Sequence, residues 1–430
     1  MKQPNKSFQF QIEEMGWHSL SDDLWDRLEN ISSGVVILAP PLDTVPSPQG
    51  NAIYTIIQDL AERSPVPCLV LSIWPAIGQP EECSISDRIL YCLNPFKPVI
   101  GEKFFPYRIK RAIWGTGRPE LLSYARKAAQ LCNLLGVETI VVEDIPLFGL
   151  AFKQRLNGNA RLFLHQHIDG PLGYTRRWWK KISSVYDGIV FVAQKTLADT
   201  EKKHGKLVNS TVIYNGIDVN HYNPEKWTNT ARTLRSELSI TESELVALFV
   251  GRVIPGKGCL ELIHAFLQAQ VPGTKLVIVG TVENGLFSSA DYSKKIGQVI
   301  RQNPDKIISL GNVTQRLLPG YYEMSDIVVV PSIQPEGLPK VISEALVMGK
   351  PVLTSDRGGA LELIRLGQNG WRIDNPQDIE QFVQTLHTIL SNREILQEFG
   401  HHAHAHDRPQ LSVKKSAEDF FNFVLNTPIA

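Results

Sequence analysis

Ile327-Val328-Val329-Val330-Pro331-Ser332-Ile333-Gln334-Pro335-Glu336-Gly337-Leu338-Pro339-Lys340-Val341-Ile342-Ser343-Glu344-Ala345-Leu346 reads as a strand, a loop and the start of a helix. The apolar, β-branched run predicts a strand over Ile327–Pro331 that is buried on both faces, as in a parallel sheet. Gly337 and Pro339 break the pattern, and a helix is expected from about Lys340. Open α/β sheets bind ligands at the C-terminal ends of their strands. A helix N-terminus there offers unpaired N–H groups and a positive dipole to an anion. Glu336 precedes the helix and Glu344 lies about one turn inside it, so the two carboxylates face different parts of one ligand. A carboxylate suits paired hydroxyls, since it accepts two hydrogen bonds at once. Taken alone, the stretch also fits an ordinary loop with one solvated and one dipole-stabilising Glu.

A second strand-loop-helix stretch lies upstream. Val250-Gly251-Arg252-Val253-Ile254-Pro255-Gly256-Lys257-Gly258 follows an apolar run at Leu245–Val250 and precedes a helical pattern around Leu260–Leu267. Two cations beside a glycine-rich turn suit a diphosphate; a basic surface loop is the plainer alternative. Further strands are expected at Lys275–Val279, Ile307–Leu310 and Pro351–Thr354. An earlier series is expected at Val35–Ala39, Cys68–Ile73, Thr139–Val142, Leu162–His165, Gly188–Val192 and Thr211–Tyr214. Two such series interleaved with helices predict two doubly wound, Rossmann-like α/β domains. The reading divides the chain into residues 1–214, a linker over 215–230 entered at the turn Asn215-Gly216, a domain over 231–406, and a last helix within 407–430. Ala417, Phe420, Phe421, Phe423 and Val424 form that helix's apolar stripe, expected to pack back toward the N-terminal domain.

At 430 residues the chain fits two cores of about 200 residues each. Lys plus Arg equals Asp plus Glu at 44 each, which gives no global case for nucleic-acid binding. The five cysteines form no CxxC pair and suggest reduced thiols. The first residues lack a signal-peptide core, and no apolar run approaches the ~20 residues that span a bilayer. The expected location is cytoplasmic, with the inner face of a membrane open as a surface to sit on.

The C-terminal motifs together resemble the family-4 retaining glycosyltransferases of the GT-B fold, the glycosyl transferases group 1. The resemblance rests on Asn215-Gly216-Ile217-Asp218, on Gly251-Arg252 with Lys257-Gly258, on Glu336 and Glu344, and on Tyr321-Tyr322-Glu323-Met324-Ser325-Asp326. Gly349-Lys350-Pro351-Val352 and Gly358-Gly359 with Glu362 continue it, so that it covers about Ser210 to Asp374. It implies two nucleotide-fold domains facing a central cleft, with the donor held by the C-terminal one and the acceptor by the N-terminal one. Arg252 and Lys257 would then hold the donor diphosphate, Glu344 the ribose hydroxyls and Glu336 the transferred sugar. Gly337 and Leu338 would belong to the same donor loop, Lys340 and Val341 would offer backbone N–H groups, and Val313-Thr314 would meet the base. Where many members have glycine this chain has Pro339, which has no N–H to give.

The N-terminal half matches in outline. Gly50, in Pro46-Ser47-Pro48-Gln49-Gly50-Asn51, stands where members place a glycine-rich loop near the phosphates. His165, in Leu164-His165-Gln166-His167-Ile168-Asp169, stands where members often carry a histidine facing the sugar. A strand-end histidine is as often structural. His167, Asp169, Glu143 and Asp144 are weaker candidates for an acceptor surface, and a solvated loop pair explains Glu143-Asp144 equally well. Across Lys97–Lys127, eight Lys or Arg stand against two Glu, a local charge of +6. With Phe104, Phe105 and Tyr107 interleaved, this stretch, including Arg108, Lys110 and Arg111, suits an anionic or membrane-associated acceptor. Tyr174–Lys181 mixes cations with Trp178 and Trp179, and core tryptophans with snorkelling cations explain it best. Gly115-Thr116-Gly117 follows no convincing strand. His401–His406 places His402 and His406 on one helical face but offers no further metal ligand.

The resulting expectation is retaining transfer of a hexose-type sugar from a nucleoside-diphosphate sugar, with UDP-sugars favoured. The acceptor is open among a cell-envelope glycan, a lipid-linked saccharide and a peptide. No metal or other cofactor is expected, because fixed cations take the metal's place at the diphosphate. An epimerase or a phosphorylase on the same fold, or an inactive nucleotide-sugar-binding assembly protein, are the alternatives.

Overall fold

The computed structural model describes residues 6–41, 44–45, 52–74, 85–93, 121–156, 160–168, 170–281 and 290–428. Two compact units account for the chain: Met1–Ile213 together with Ala417–Ala430, and Tyr214–Ser416.

In the first unit the strands are β1 (Trp17–His18), β2 (Val35–Leu38), β3 (Cys68–Ile73), β4 (Ile89–Cys92), β5 (Thr139–Glu143), β6 (Arg161–Gln166), β7 (Gly188–Phe191) and β8 (Ser210–Val212). They form one sheet in the order β1-β4-β3-β2-β5-β6-β7-β8. β1 runs antiparallel to β4 and the other neighbours are parallel. Both faces are covered, which is why these strands read as continuous apolar runs. Along β2, Val36 and Leu38 enter one core cluster, while Val35 and Ile37 enter another on the opposite face.

The C-terminal helix Val413–Asn426 supplies Ala417, Phe420, Phe421 and Val424 to the second of those clusters. Burying a Phe or Val side chain contributes about 1.5–3 kcal/mol. Arg161 donates to the carbonyls of Leu425 at 2.8 Å and Thr427 at 3.1 Å, a cation at the negative end of the helix.

The second unit is built on β9 (Leu245–Val250), β10 (Thr274–Val279), β11 (Ile307–Gly311), β12 (Ile327–Val330), β13 (Val352–Ser355) and β14 (Gly370–Ile373). Its order is β11-β10-β9-β12-β13-β14, with every neighbouring pair parallel. β9 to β11 proceed toward one edge and β12 to β14 toward the other. The order therefore reverses between β9 and β12, and in the first unit between β2 and β5. Such reversals open a crevice at the strands' C-terminal ends.

The structure corrects the linker. Pro224–Glu237 is a helix, capped by the Asn223 side chain, with Pro224 in its first turn. The expected linker over 215–230 is therefore extended only in its first part. The histidine-rich segment continues the Arg393–His402 helix through a π-helical turn at Ala403–Asp407. That turn places the buried Asp407 against Arg365 and against Asn369, whose Nδ2 donates at 2.8 Å. The segment thus anchors the approach to β14.

Candidate functional site

In the second unit the loops after β9 and β12 are bonded to each other. The Gly256 carbonyl accepts from Ile333 N–H at 2.9 Å and Gln334 N–H at 3.1 Å. Gly258 has φ +69°, and a Cβ there would stand 2.0 Å from the Pro331 carbonyl oxygen. Only glycine lets the two backbones pass so closely.

This approach brings Lys257 onto Glu336 in an ion pair, with side chains 26% and 20% exposed. The other Glu336 oxygen accepts from the Ser332 hydroxyl. Ser355, at the end of β13, donates to the Ser332 carbonyl at 2.5 Å. Gly359 N–H donates to the carbonyls of Glu336 at 3.0 Å and Gly337 at 2.8 Å. Loops from β9, β12 and β13 therefore fix the Glu336 carboxylate. An ion pair this exposed contributes little stability, so its consequence is position. Arg252 is exposed on the β9 loop, and Val313-Thr314 follow β11 at the same end of the sheet.

The helix Lys340–Val347 starts directly after this loop, with Pro339 as its cap. Glu344 is 4% exposed and accepts from the Tyr322 hydroxyl at 2.7 Å. Burial pushes the Glu344 carboxyl above its ordinary range, against the pull of the Lys340 charge and the Tyr322 hydroxyl. Tyr322, Ser332 and Ser355 were given no role from the sequence. Tyr322 and Ser332 sit inside recognised motifs, but their spacing does not say which carboxylate each meets.

The first unit gathers a second cluster at the ends of β5 and β6. Glu143 lies in register with His165. Its carboxylate meets His165 Nδ1 at 3.1 Å and His167 Nε2 at 2.7 Å. Glu143 is 0% exposed, His165 2% and His167 5%. This corrects the expectation that Glu143 belongs to a solvated loop pair or faces an acceptor directly. Burial pushes its carboxyl up, yet its electrostatic interaction with the adjacent His165 and the hydrogen bonds from both imidazoles override that and hold it at about 2.

Asp144 has φ +53°, unusual for a residue with a side chain. Its Oδ1 accepts from Gln166 Nε2 at 2.7 Å, His167 N–H at 3.0 Å and Ile168 N–H at 3.2 Å. Burial pushes its carboxyl up to about 6 despite the nearby His167 and these backbone donors. Among the described residues Glu143, His165 and His167 are also the one group whose ligand-type atoms gather as a metal would need. His402 and His406 lie with ring centroids 4.4 Å apart, tilted by 40°, and gain no third ligand among the described residues. Trp179 is core, whereas Trp178 is half-buried beneath the Lys181 ammonium. Gly50, Arg108, Lys110, Arg111, Asp169 and the Gly115–Gly117 stretch lie outside the described residues.

Residues 230–406 match the family model of glycosyl transferases group 1. The lipopolysaccharide 1,2-N-acetylglucosaminetransferase of Salmonella typhimurium is 24% identical over 84% of this chain and 90% of its own. Among solved structures, Anabaena HepE in complex with UDP and glucose superposes with a TM-score of 0.69 at 20% identity, covering 91% of this chain and 99% of that one. Sucrose-phosphate synthase of Thermosynechococcus elongatus gives a TM-score of 0.70 at 18% identity, covering 90% and 96%. The expected fold is the observed one. Residues 230–406 form a glycosyl transferases group 1 domain, and the chain that carries them is a glycosyltransferase of the GT-B fold.

Proposed function

We propose that this chain transfers a hexose-type sugar, with retention of anomeric configuration, from a nucleoside-diphosphate sugar, UDP-sugars foremost. The observation that carries this reading is the Lys257–Glu336 pair, fixed at the β9/β12 reversal beside Arg252 and directly ahead of a helix N-terminus. Lys257 and Arg252 meet the diphosphate, Glu336 the sugar hydroxyls and Glu344 the ribose. Val313-Thr314 lie toward the base. Lys340 and Val341 add N–H groups of the first helical turn, which have no intrahelical partner.

Departure of the diphosphate builds negative charge that preorganised cations and N–H groups stabilise without reorganising. The acceptor hydroxyl attacks on the face the diphosphate leaves, and a diphosphate oxygen takes its proton. No divalent ion is needed at the diphosphate in this scheme, since the two cations are built into the chain. The UDP in the HepE structure supports the donor class.

The first unit takes the acceptor, an anionic or membrane-associated envelope saccharide. The lipopolysaccharide-directed activity for which the Salmonella relative is named and the +6 stretch across Lys97–Lys127 support that class. Among the described residues no helix is long and apolar enough to cross a membrane. The chain is therefore proposed to work in the cytoplasm, at the inner face of the membrane where its acceptor lies.

Calorimetry with UDP in the presence of EDTA tests the division of labour. Glu344→Ala is expected to weaken UDP at least ten-fold, while Glu336→Ala leaves UDP affinity within about three-fold and slows the sugar-dependent step; ten-fold is roughly one charge-assisted hydrogen bond. Equal losses of UDP affinity in the two variants contradict the assignment.

A further inference from the structure

The Glu143–His165–His167 cluster has no role in the donor chemistry above, yet it is too ordered for chance. β5 and β6 are paired in parallel, and their register sets Glu143 beside His165. His165 lies in β6 and His167 directly follows its end, and both imidazoles reach the same carboxylate. The His165 ring is held between two others, with centroids 4.1 Å from His167 and 4.9 Å from Phe420. Phe420 is itself buried in the helix that closes this face of the sheet. The imidazole is therefore fixed in orientation.

An ionised carboxylate only accepts hydrogen bonds. The nitrogens facing it must therefore carry their protons: Nδ1 of His165 and Nε2 of His167. His165 Nε2 meets no partner among the described residues. His167 Nδ1 is buried and likewise unpartnered.

The distances favour hydrogen bonds over a shared metal ion. Two ligands about 2.0–2.1 Å from one tetrahedral zinc stand roughly 3.3 Å apart. His167 Nε2 lies 2.7 Å from the Glu143 carboxylate, a charge-assisted hydrogen bond.

We propose that Glu143 is a positioning residue that locks His165 in its Nδ1–H tautomer, so that Nε2 accepts a hydrogen bond from a substrate hydroxyl. The site is the C-terminal end of β6, two strands from β2 across the β2/β5 reversal, where open sheets take ligands. This inference rests on the glycosyl-transfer reading for which substrate the hydroxyl belongs to. The tautomer itself does not depend on that reading. A carboxylate behind an imidazole fixes tautomer and orientation together, and its replacement by the amide leaves the geometry in place with the wrong tautomer.

The test uses the full chain labelled with 15N at its histidines, with long-range proton–nitrogen spectra assigned through His165→Asn and His167→Asn. In the wild type, His165 is expected to carry its proton on Nδ1. In Glu143→Gln it is expected to shift largely to Nε2–H, the form free imidazole prefers in water. UDP-glucose serves as the turnover probe. Its kcat is expected to fall on the order of a hundred-fold in Glu143→Gln with little change in KM, the size of a lost acid–base or orienting group. Glu143→Asp is expected to retain the tautomer and recover part of that rate.

A wild-type His165 with its proton on Nε2 overturns the proposal, and needs no variant to fold. So does an unchanged tautomer in Glu143→Gln. One zinc per chain in the purified protein, lost in Glu143→Gln, also overturns it and makes the cluster a metal centre. If UDP-glucose is not a substrate, the spectra still decide the proposal, while the donor reading fails separately.

Discussion

Lys257→Ala and Arg252→Ala each lower turnover of the nucleotide sugar by a factor on the order of a hundred or more, which is about 2.7 kcal/mol of barrier at 1.36 kcal/mol per ten-fold. Removing one preorganised donor at a developing oxyanion costs about that much. For Lys257 the loss has a second source. Its ammonium pairs with Glu336, and truncation leaves that half-buried carboxylate without its counter-charge where the sugar is proposed to sit. Fold stability is expected to change little, because the pair is partly solvated and such pairs contribute roughly 0–1 kcal/mol. The check is kcat at saturating donor alongside a thermal melt. Wild-type rates in both variants remove the diphosphate assignment.

Gly358→Ala is expected to disable the site through the backbone. Gly358 has φ +65°, and a Cβ there would lie 1.8 Å from the Glu336 carbonyl oxygen and 2.7 Å from its nitrogen. The left-handed conformation alone costs an L-residue about 1–2 kcal/mol. The overlap is with backbone, so no rotamer change relieves it, and the loop must move. The Gly359 N–H bonds to the Glu336 and Gly337 carbonyls are then strained or lost, at about 1 kcal/mol each. A total near 3 kcal/mol lowers the melting temperature by roughly 6–12 °C for a unit of this size. Turnover falls further than stability, because Glu336 shifts with its loop. Gly367→Ala is the control. Gly367 has φ +77° but nothing within 4 Å of a Cβ, so only the conformational cost applies. Equal destabilisation by the two substitutions, with activity kept in Gly358→Ala, contradicts the account of the loop.

Most of the parallel strands were legible because both faces of each sheet are covered. Leu245–Val250 is apolar in every residue and Cys68–Ile73 in all but Ser72, and their predicted bounds are the observed ones. β1, β4 and β14 were not predicted, although Ile89-Leu90-Tyr91-Cys92 of β4 is buried throughout. Two residues make no pattern, and Gly370-Trp371-Arg372-Ile373 lies at a sheet edge with a polar residue facing out. The first half of the helix Pro224–Glu237, residues 224–230, was mistaken for linker because Ala231 is the helix's one buried residue. Its start was nonetheless written in Asn223 and Pro224.

At the site, the sequence brought Lys257, Glu336 and Glu344 forward as residue types behind strands. It could not show that Lys257 reaches Glu336 across 79 positions, nor that Ser332 turns that carboxylate. That link depends on the β9/β12 adjacency and on two backbones touching at Gly258. The burial of Glu143 was hidden for a related reason. A Glu ending an apolar strand reads as the first solvated residue of a loop, unless two imidazoles, one at the end of the neighbouring strand and one just past it, are known to face it.

The central claim is that a nucleoside-diphosphate sugar is broken at the loops following β9 and β12. Its most direct test is release of nucleoside diphosphate from a panel of UDP-, GDP- and ADP-sugars, with EDTA present, by the wild type and by Lys257→Ala side by side. The account predicts release from at least one member, UDP-sugars first, with the variant on the order of a hundred-fold slower. No release from any member, or equal release by the two proteins, contradicts it.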